Sequence, residues 1–152
     1  MEELSLIHQQ KEINGNLEQL TVKEVLANSS NIGVSRLVDR HFAHNPSEYV
    51  DQLYKMGVGK PMNIEIPGAG SPKIRHPKDK HVNWYKTALP WMSIGYEVQM
   101  PPIYTLAFYN AIANNGKYIR PYFVKSISQN GRILETFDTE TINSSICSSC
   151  VS

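Results

Sequence analysis

The sequence predicts an α+β fold that is mainly helical and carries one β-hairpin. Four segments place apolar residues at the three- and four-residue spacing of a helix, and capping or proline signals precede them. Asn130-Gly131, the strongest short turn signal for a hairpin, lies between two stretches that are typical of strands. The chain has 152 residues, of which 41% are hydrophobic and 19% charged, which suits one globular domain with its own core.

The first predicted helix spans residues 21–28 and begins with a capping box. In Thr21-x-x-Glu24, the hydroxyl can accept from the N–H of Glu24 while the carboxylate accepts from the N–H of Thr21. Leu20 and Val25 occupy the two positions of a hydrophobic staple. The side chains expected to face the core are Val22, Val25 and Leu26.

A run of short polar residues, Ser29-Ser30-Asn31, separates this helix from a second one predicted over residues 31–42. The second helix is indicated by apolar residues at helical spacing, namely Val34, Leu37, Val38 and Phe42. Ser and Asn side chains compete with the backbone for hydrogen bonds and so favour caps and turns over helix interiors. The local residues fit an ordinary connection in which Ser30 or Asn31 caps the second helix.

A third helix is predicted over residues 46–56. Asn45 is its expected cap, Pro46 suits the first helical position, and Gly57 is a natural stop. Its buried stripe would consist of Val50, Leu53 and Tyr54.

The remaining pattern predicts a long connection, a buried helix and the hairpin. Residues 61–90 are dense in Pro, Gly, Lys and His, which is typical of a long functional or mobile loop. The helix over residues 102–115 starts at Pro102 and has almost no polar face, so we expect it to be buried on most sides. Beyond Gly116, the hairpin is expected over residues 118–137.

Charge and hydropathy exclude several functional classes. A formal net charge of +1 with scattered Lys and Arg argues against nucleic-acid binding. No stretch approaches the ~18 consecutive apolar residues of a membrane-spanning helix. The N-terminus lacks the basic-then-apolar order of a signal peptide, so we expect any targeting segment or membrane anchor to lie outside this chain.

The histidines and cysteines do not form a recognisable metal site. The candidate ligands are His41, His44, His76, His81, Cys147 and Cys150. No Glu or Cys completes either histidine pair. The C-x-x-C pair lacks both the strand-to-helix context of a redox dithiol and the second ligand pair of a zinc site. We therefore predict neither a metal ion nor a cofactor.

Four ordered motifs together resemble one protein family. They are SSNIGVSRL, MGVG, SIGYEVQMPPIYTLAFYNAIANNGKYIRP and ISQNGRILE. In this order, from about Thr21 to about Phe137, they resemble the transpeptidase domain of class B penicillin-binding proteins, the D,D-transpeptidases of peptidoglycan synthesis. The resemblance implies the helical side of the β-lactamase/transpeptidase-like fold, with most of its main sheet missing from residues 1–152.

The resemblance also implies two site residues. S-x-N corresponds to Ser29-Ser30-Asn31, whose first and third side chains would face the active-site cleft. Ser29 would hydrogen-bond to the catalytic Lys and relay a proton, because a hydroxyl both donates and accepts. Asn31 would offer its amide to the substrate or to a bound β-lactam and help to fix that Lys.

The other two catalytic motifs of the family, S-x-x-K and K-T-G, are absent from the sequence. No Ser lies three residues before any Lys, and the nearest match to K-T-G, Lys86-Thr87-Ala88, lacks the Gly and precedes a helix. We therefore expect residues 1–152 to be an internal part of a longer domain. The alternative is a pseudo-enzyme that has lost both motifs. Two further departures are local: Glu97 replaces a small residue, often Gly, and Pro101 replaces the usual Thr cap.

The implied parent protein is a serine D,D-transpeptidase on the periplasmic side of the bacterial inner membrane. It would cross-link peptidoglycan stem peptides through an acyl-enzyme intermediate and would bind β-lactams. A non-catalytic β-lactam or muropeptide sensor of the same fold is the alternative. This chain alone is expected to be inactive, and its unpartnered apolar faces suggest that it self-associates.

Overall fold

The computed structural model describes residues 20–81 and 83–146. The helices are α1 (Val22–Ala27), α2 (Asn31–Phe42), α3 (Pro46–Lys55), α4 (Ala88–Ser93) and α5 (Pro102–Ala113). The strands are β1 (Lys73–Ile74), β2 (Val98–Gln99), β3 (Tyr118–Ile119), β4 (Ser126–Gln129), β5 (Arg132–Thr136) and β6 (Thr141–Asn143). They form three antiparallel pairs, β1 with β2, β3 with β6 and β4 with β5. The α+β class is confirmed, and none of the helices in these residues is long and apolar enough to cross a membrane.

The described chain divides into two compact units. One, the helical unit, combines residues 20–49 with Arg75–Glu97, and the other, the sheet unit, combines Val50–Ile74 with residues 98–146. The helical unit contains α1, α2 and α4, and the sheet unit contains α5 and all three strand pairs.

The capping box at the start of α1 is confirmed. The N–H of Glu24 donates to Thr21 Oγ1 at 3.3 Å, and the N–H of Thr21 donates to Glu24 Oε2 at 2.7 Å. The N–H and the hydroxyl of Thr21 both donate to Glu24 Oε2, which favours the carboxylate and lowers the pKa of Glu24. Val25 is fully buried as predicted, but the inward placement of Leu26 is wrong, since 67% of that residue is exposed. Leu26 lies one position, about 100°, further round the helix than Val25, and a six-residue helix buries only one narrow side.

Helix α4 begins inside the segment that the sequence predicted to be a long connection and ends three residues beyond it. It buries Ala88, Leu89 and Met92, and it packs against α2 in the helical unit. Six residues are too few to show helical periodicity, and Pro90 argues against a helix. The proline is tolerated because it lies in the first turn, where its missing N–H breaks no helical hydrogen bond.

The core of the sheet unit forms around one face of α5. Its buried members are Met62, Tyr104, Ala107, Ala111, Tyr118 and Ile146. The N–H of Met62 donates to the hydroxyl of Tyr104 at 3.0 Å, so this buried hydroxyl is satisfied. The prediction that α5 is buried on most sides is wrong for the described residues, because Leu106 is 55% exposed and Tyr109 66% exposed. The helix therefore presents apolar side chains on a second face.

The hairpin is shorter than predicted. Strands β4 and β5 close on Asn130-Gly131, whose φ angles of 51° and 77° are the left-handed pair that a two-residue hairpin turn requires. The predicted start at residue 118 is wrong, because β3 pairs with β6 instead. Pro121, which lacks a backbone N–H to donate, separates β3 from the hairpin.

Helix α3 ends at Lys55, and Gly57 is the left-handed stop residue that the sequence predicts after it. The φ of Gly57 is +91°, and the N–H of Val58 donates to the carbonyl of Leu53 at 3.0 Å in the manner of a left-handed helix stop. A Cβ at Gly57 would lie 2.7 Å from two ring carbons of the buried Tyr118. Gly57 is thus required both by its backbone conformation and by the close approach of a core side chain.

Gly68 provides a matched control for this position. Its φ is +80°, and a Cβ there would meet nothing within 4 Å. We expect Gly68→Ala to lower the free energy of unfolding by about 1 kcal/mol through the left-handed conformation alone. Gly57→Ala should cost about 1–3 kcal/mol more, because the added methyl group overpacks the core. Urea unfolding of the two variants tests this, and equal losses would contradict the role of Tyr118.

Candidate functional site

The polar turn between α1 and α2 is held by two sets of backbone hydrogen bonds. At the end of α1, the N–H of Ser29 donates to the carbonyl of Leu26 at 3.0 Å, and the N–H of Ser30 donates to the carbonyl of Val25 at 2.9 Å. These two bonds form a Schellman motif, in which the residue at the Ser29 position takes a left-handed conformation. The φ of Ser29 is +48°.

Ser30 serves as the N-cap of α2. Its Oγ accepts from the N–H of Gly33 at 3.3 Å, and its backbone is extended. Of the two caps that the sequence allowed, the structure selects Ser30, since Asn31 is already the first residue of the helix. The middle residue of the S-x-N sequence therefore has a structural task.

The two flanking residues, Ser29 and Asn31, are both exposed at this turn. Among residues 20–81 and 83–146, the hydrogen bonds include none from the Ser29 hydroxyl or from the Asn31 side-chain amide. The structure thus brings together the two predicted site residues with their polar groups available to a ligand. A left-handed serine is more strained at this position than Gly or Asn would be.

Hydroxyl groups attach α4 to α2, the helix that Asn31 begins. Ser35 Oγ donates to the carbonyl of Pro90 at 3.1 Å, and Ser93 Oγ donates to the same carbonyl at 2.7 Å. The two hydroxyls are 3.4 Å apart. Because α2 begins at the polar turn, the packing of α4 restrains the helix that carries Asn31.

Glu97 organises the segment that leads to and from α4. Its φ is +61°, a left-handed conformation that glycine adopts without strain. The carboxylate forms an ion pair with Arg75, with Nε and Oε2 2.5 Å apart, and accepts a hydrogen bond from the hydroxyl of Tyr85. The guanidinium of Arg75 also lies over the Tyr85 ring, 5.5 Å from its centroid. These contacts offset the unfavourable backbone conformation.

The hydrogen bond to Glu97 also raises the pKa of Tyr85 above its ordinary value. Burial and the negative charge of Glu97 act in the same direction. Tyr85 therefore remains a neutral donor at physiological pH. Sequence reasoning missed this cluster, although Glu97 at a position usually occupied by a small residue was a signal that could have found it.

The remaining sequence candidates lie elsewhere. Lys86-Thr87-Ala88 forms the N-terminus of the short helix α4 and is not on a strand. Pro101 is the N-cap of α5 without a side-chain hydrogen bond. Within the described ranges, no group of three His, Cys, Asp or Glu side chains is arranged to hold a metal ion. Cys147 and Cys150 lie outside the described residues.

Comparison with known proteins shows to which family the sequence is similar. The family model for the penicillin-binding protein transpeptidase domain matches residues 5–149. The probable peptidoglycan D,D-transpeptidase PbpC of Pseudomonas aeruginosa is 30% identical over 111 residues, which cover 73% of this chain and 18% of that protein. The peptidoglycan D,D-transpeptidase FtsI of Buchnera aphidicola is 31% identical over 110 residues, which cover 72% of this chain and 18% of that protein.

A solved structure shares the fold. The crystal structure of penicillin-binding protein 3 from Mycobacterium tuberculosis in complex with aztreonam superposes with a TM-score of 0.68. The two chains are 24% identical, and the match covers 93% of this chain and 32% of the other. The matched region spans less than a fifth of the length of the two relatives above.

The geometry of the polar turn predicts opposite effects at adjacent serines. Ser29→Gly should relieve the left-handed strain and raise the free energy of unfolding by up to about 1 kcal/mol relative to Ser29→Ala. Ser30→Ala should lower it by about 1 kcal/mol through loss of the N-cap. Chemical denaturation of the three variants measures these differences. A Ser29→Gly variant that is less stable than Ser29→Ala, or a Ser30→Ala variant as stable as the wild type, would contradict the turn described.

Proposed function

The chain belongs to the penicillin-binding protein transpeptidase domain family, and we propose that the protein containing it is a serine D,D-transpeptidase that cross-links peptidoglycan stem peptides. One observation carries the proposal to this site. Ser30 is occupied as a helix cap, whereas the exposed Ser29 hydroxyl and Asn31 amide have no hydrogen-bond partner among the described residues. The middle residue of S-x-N therefore has a structural role, and the side chains of its first and third residues are available to a ligand.

In the proposed reaction Ser29 relays a proton. Its hydroxyl donates to and accepts from the catalytic Lys of S-x-x-K as the acyl-enzyme forms and is resolved. Asn31 binds the amide of the donor peptide, or the side-chain amide of a β-lactam, because a carboxamide donates and accepts at two separate atoms. Both groups sit on a rigid backbone, since the Schellman motif and the N-cap fix the residues that carry them.

The nucleophile and the K-T-G strand would come from the rest of the longer protein. The two relatives named above are called peptidoglycan D,D-transpeptidases, one of them with the qualifier "probable". Because peptidoglycan lies outside the inner membrane, the proposed activity belongs on its periplasmic side, with an anchor outside the present chain. β-Lactams would acylate the same nucleophilic serine as the substrate.

Acylation by a fluorescent penicillin tests the assigned roles. In a longer protein that contains both missing motifs, Ser29→Ala should slow acylation by about 10²-fold, because a proton relay is lost. Ser128→Ala, which removes the same hydroxyl from an exposed serine on β4 of the sheet unit, is the control and should leave the rate unchanged. The 152-residue chain alone should not be labelled, because no S-x-x-K serine is present to be activated.

Two outcomes would contradict these roles. Stoichiometric labelling of the isolated chain would require another nucleophile. An unchanged acylation rate in Ser29→Ala would exclude Ser29 as the relay. A melting curve of each variant is the control that tests whether the fold is retained.

The exposed apolar face of α5 leads to a second prediction, self-association of the isolated chain. Leu106 and Tyr109 are more than half exposed, and such faces drive association in water. Sedimentation velocity should show oligomers whose fraction increases with concentration. Leu106→Lys with Tyr109→Lys should shift the equilibrium to monomer, whereas the control Thr105→Lys, at an exposed position of the same helix, should shift it less. A wild-type chain that stays monomeric with a sharp melt above the mesophile range would contradict the prediction.

A further inference from the structure

The helical unit contains a cleft that none of the residues of the S-x-N turn lines. Its volume is about 440 Å³, within the range of about 300–1,000 Å³ that is usual for small-ligand sites. The lining residues come from the end of α2, the start of α3, the segment before α4 and α4 itself. They are Asp39, Ala43, Pro46, Trp84, Tyr85, Lys86 and Leu89.

The apolar part of the cleft is lined by two aromatic side chains and one aliphatic side chain. Trp84 is half-buried, Tyr85 is 38% exposed and Leu89 is buried. Tyr85 is held in place, because its hydroxyl donates to Glu97 and the Arg75 guanidinium lies 5.5 Å from its ring centroid. A ring that is fixed before binding loses little conformational entropy when a ligand packs on it.

The polar part of the cleft consists of one carboxylate and one ammonium group. Asp39 is half-buried and Lys86 is exposed. In the described part of the chain, neither side chain has an ion-pair or hydrogen-bond partner. Asp39 can therefore accept from two ligand hydroxyls, while Lys86 and the indole N–H of Trp84 can donate to ligand oxygens.

This combination fits a neutral ligand with one apolar face and many hydroxyl groups. The C–H bonds on one face of a pyranose ring carry partial positive charge and are attracted to the negative face of an aromatic ring. The single positive and single negative charge balance, which disfavours a phosphate or a polyanion. We propose that this cleft binds an N-acetylhexosamine unit of a glycan strand.

The proposal deepens the proposed function, on which it rests for the source of the glycan. A peptidoglycan substrate carries a sugar strand as well as stem peptides. Binding of the sugar in this cleft would hold the strand to the helical unit by contacts that the acyl-transfer groups do not make. A free stem peptide, with its amine on Asp39 and its carboxylate on Lys86, is the competing ligand for the test.

The two tryptophans of the chain allow a direct test with the trimer of N-acetylglucosamine as probe. Trp84 lines the cleft, whereas Trp91 packs edge-on against Tyr96, with ring centroids 4.8 Å apart, and does not line it. In Trp91→Phe, where Trp84 is the remaining fluorophore, the trimer should change the emission in a saturable way. In Trp84→Phe, where Trp91 remains, the emission should not change.

Variants measured by calorimetry or by NMR titration then assign the contacts. Trp84→Ala should weaken binding of the trimer about tenfold or more, and Trp91→Ala less than about twofold. Lys86→Ala should weaken it by about threefold to tenfold, and Lys80→Ala, at an exposed position earlier in the same segment, should not. Because Lys86 is exposed, this pair remains informative if Trp84→Ala fails to fold.

Three results would overturn the proposal: no saturable change of Trp84 emission at millimolar trimer, equal effects of the cleft and control variants, or binding of a sugar-free stem pentapeptide in place of the trimer. The binding test requires no acylation. A longer protein that penicillin fails to label would therefore contradict the transpeptidase proposal and leave the sugar site standing. Failure of the trimer to bind would contradict the sugar site and leave the transpeptidase proposal standing.

Discussion

The helical unit depends on the junction of two helices at Ser29 and Ser30. Helix α1 can end and α2 can begin within three residues only because Ser29 adopts a left-handed conformation and Ser30 immediately caps the next helix. The Schellman hydrogen bonds satisfy carbonyls at the end of α1, and the serine cap satisfies a donor at the start of α2. Two helix ends are thus completed without the side chains of Ser29 and Asn31.

The strain at this junction has a counterpart at Glu97. Both residues are in the left-handed region without being glycine. At Glu97 the side chain itself provides the compensation, through Arg75 and Tyr85. At Ser29 the backbone hydrogen bonds of the Schellman motif provide it, and no side-chain contact does so among the described residues. The same backbone feature therefore has two different explanations in one unit.

The sheet unit illustrates a different constraint, the incomplete burial of an apolar helix. Helix α5 covers its core with Tyr104, Ala107 and Ala111, but it also carries Leu106 and Tyr109 on an exposed face. A short exposed hairpin and two-residue strands bury little apolar surface. The two relatives that match this chain are several times longer. In a longer protein, further helices or strands can pack on such an exposed apolar face.

Local signals in the sequence determined the start of α1, the whole of α2 and the ends of α3 and α5. Capping boxes, proline at the first turn and glycine stops act within a few residues, so they can be recognised without knowledge of the fold. The ordered motifs likewise identified the family. The sequence allowed either Ser30 or Asn31 as the cap of α2. The backbone geometry decided for Ser30, because its backbone is extended and Asn31 is already helical.

Only the tertiary structure decided the features that depend on distant residues. Helix α4 forms because Leu89 and Met92 are buried in the helical unit, although six residues with a proline carry no helical pattern. Strand β3 pairs with β6, more than twenty residues further along the chain, and not with a strand of the nearer hairpin. Arg75, Tyr85 and Glu97 meet across as many as 22 positions. Burial, strand pairing and ion pairs between remote positions are set by how the chain packs, which a local pattern does not encode.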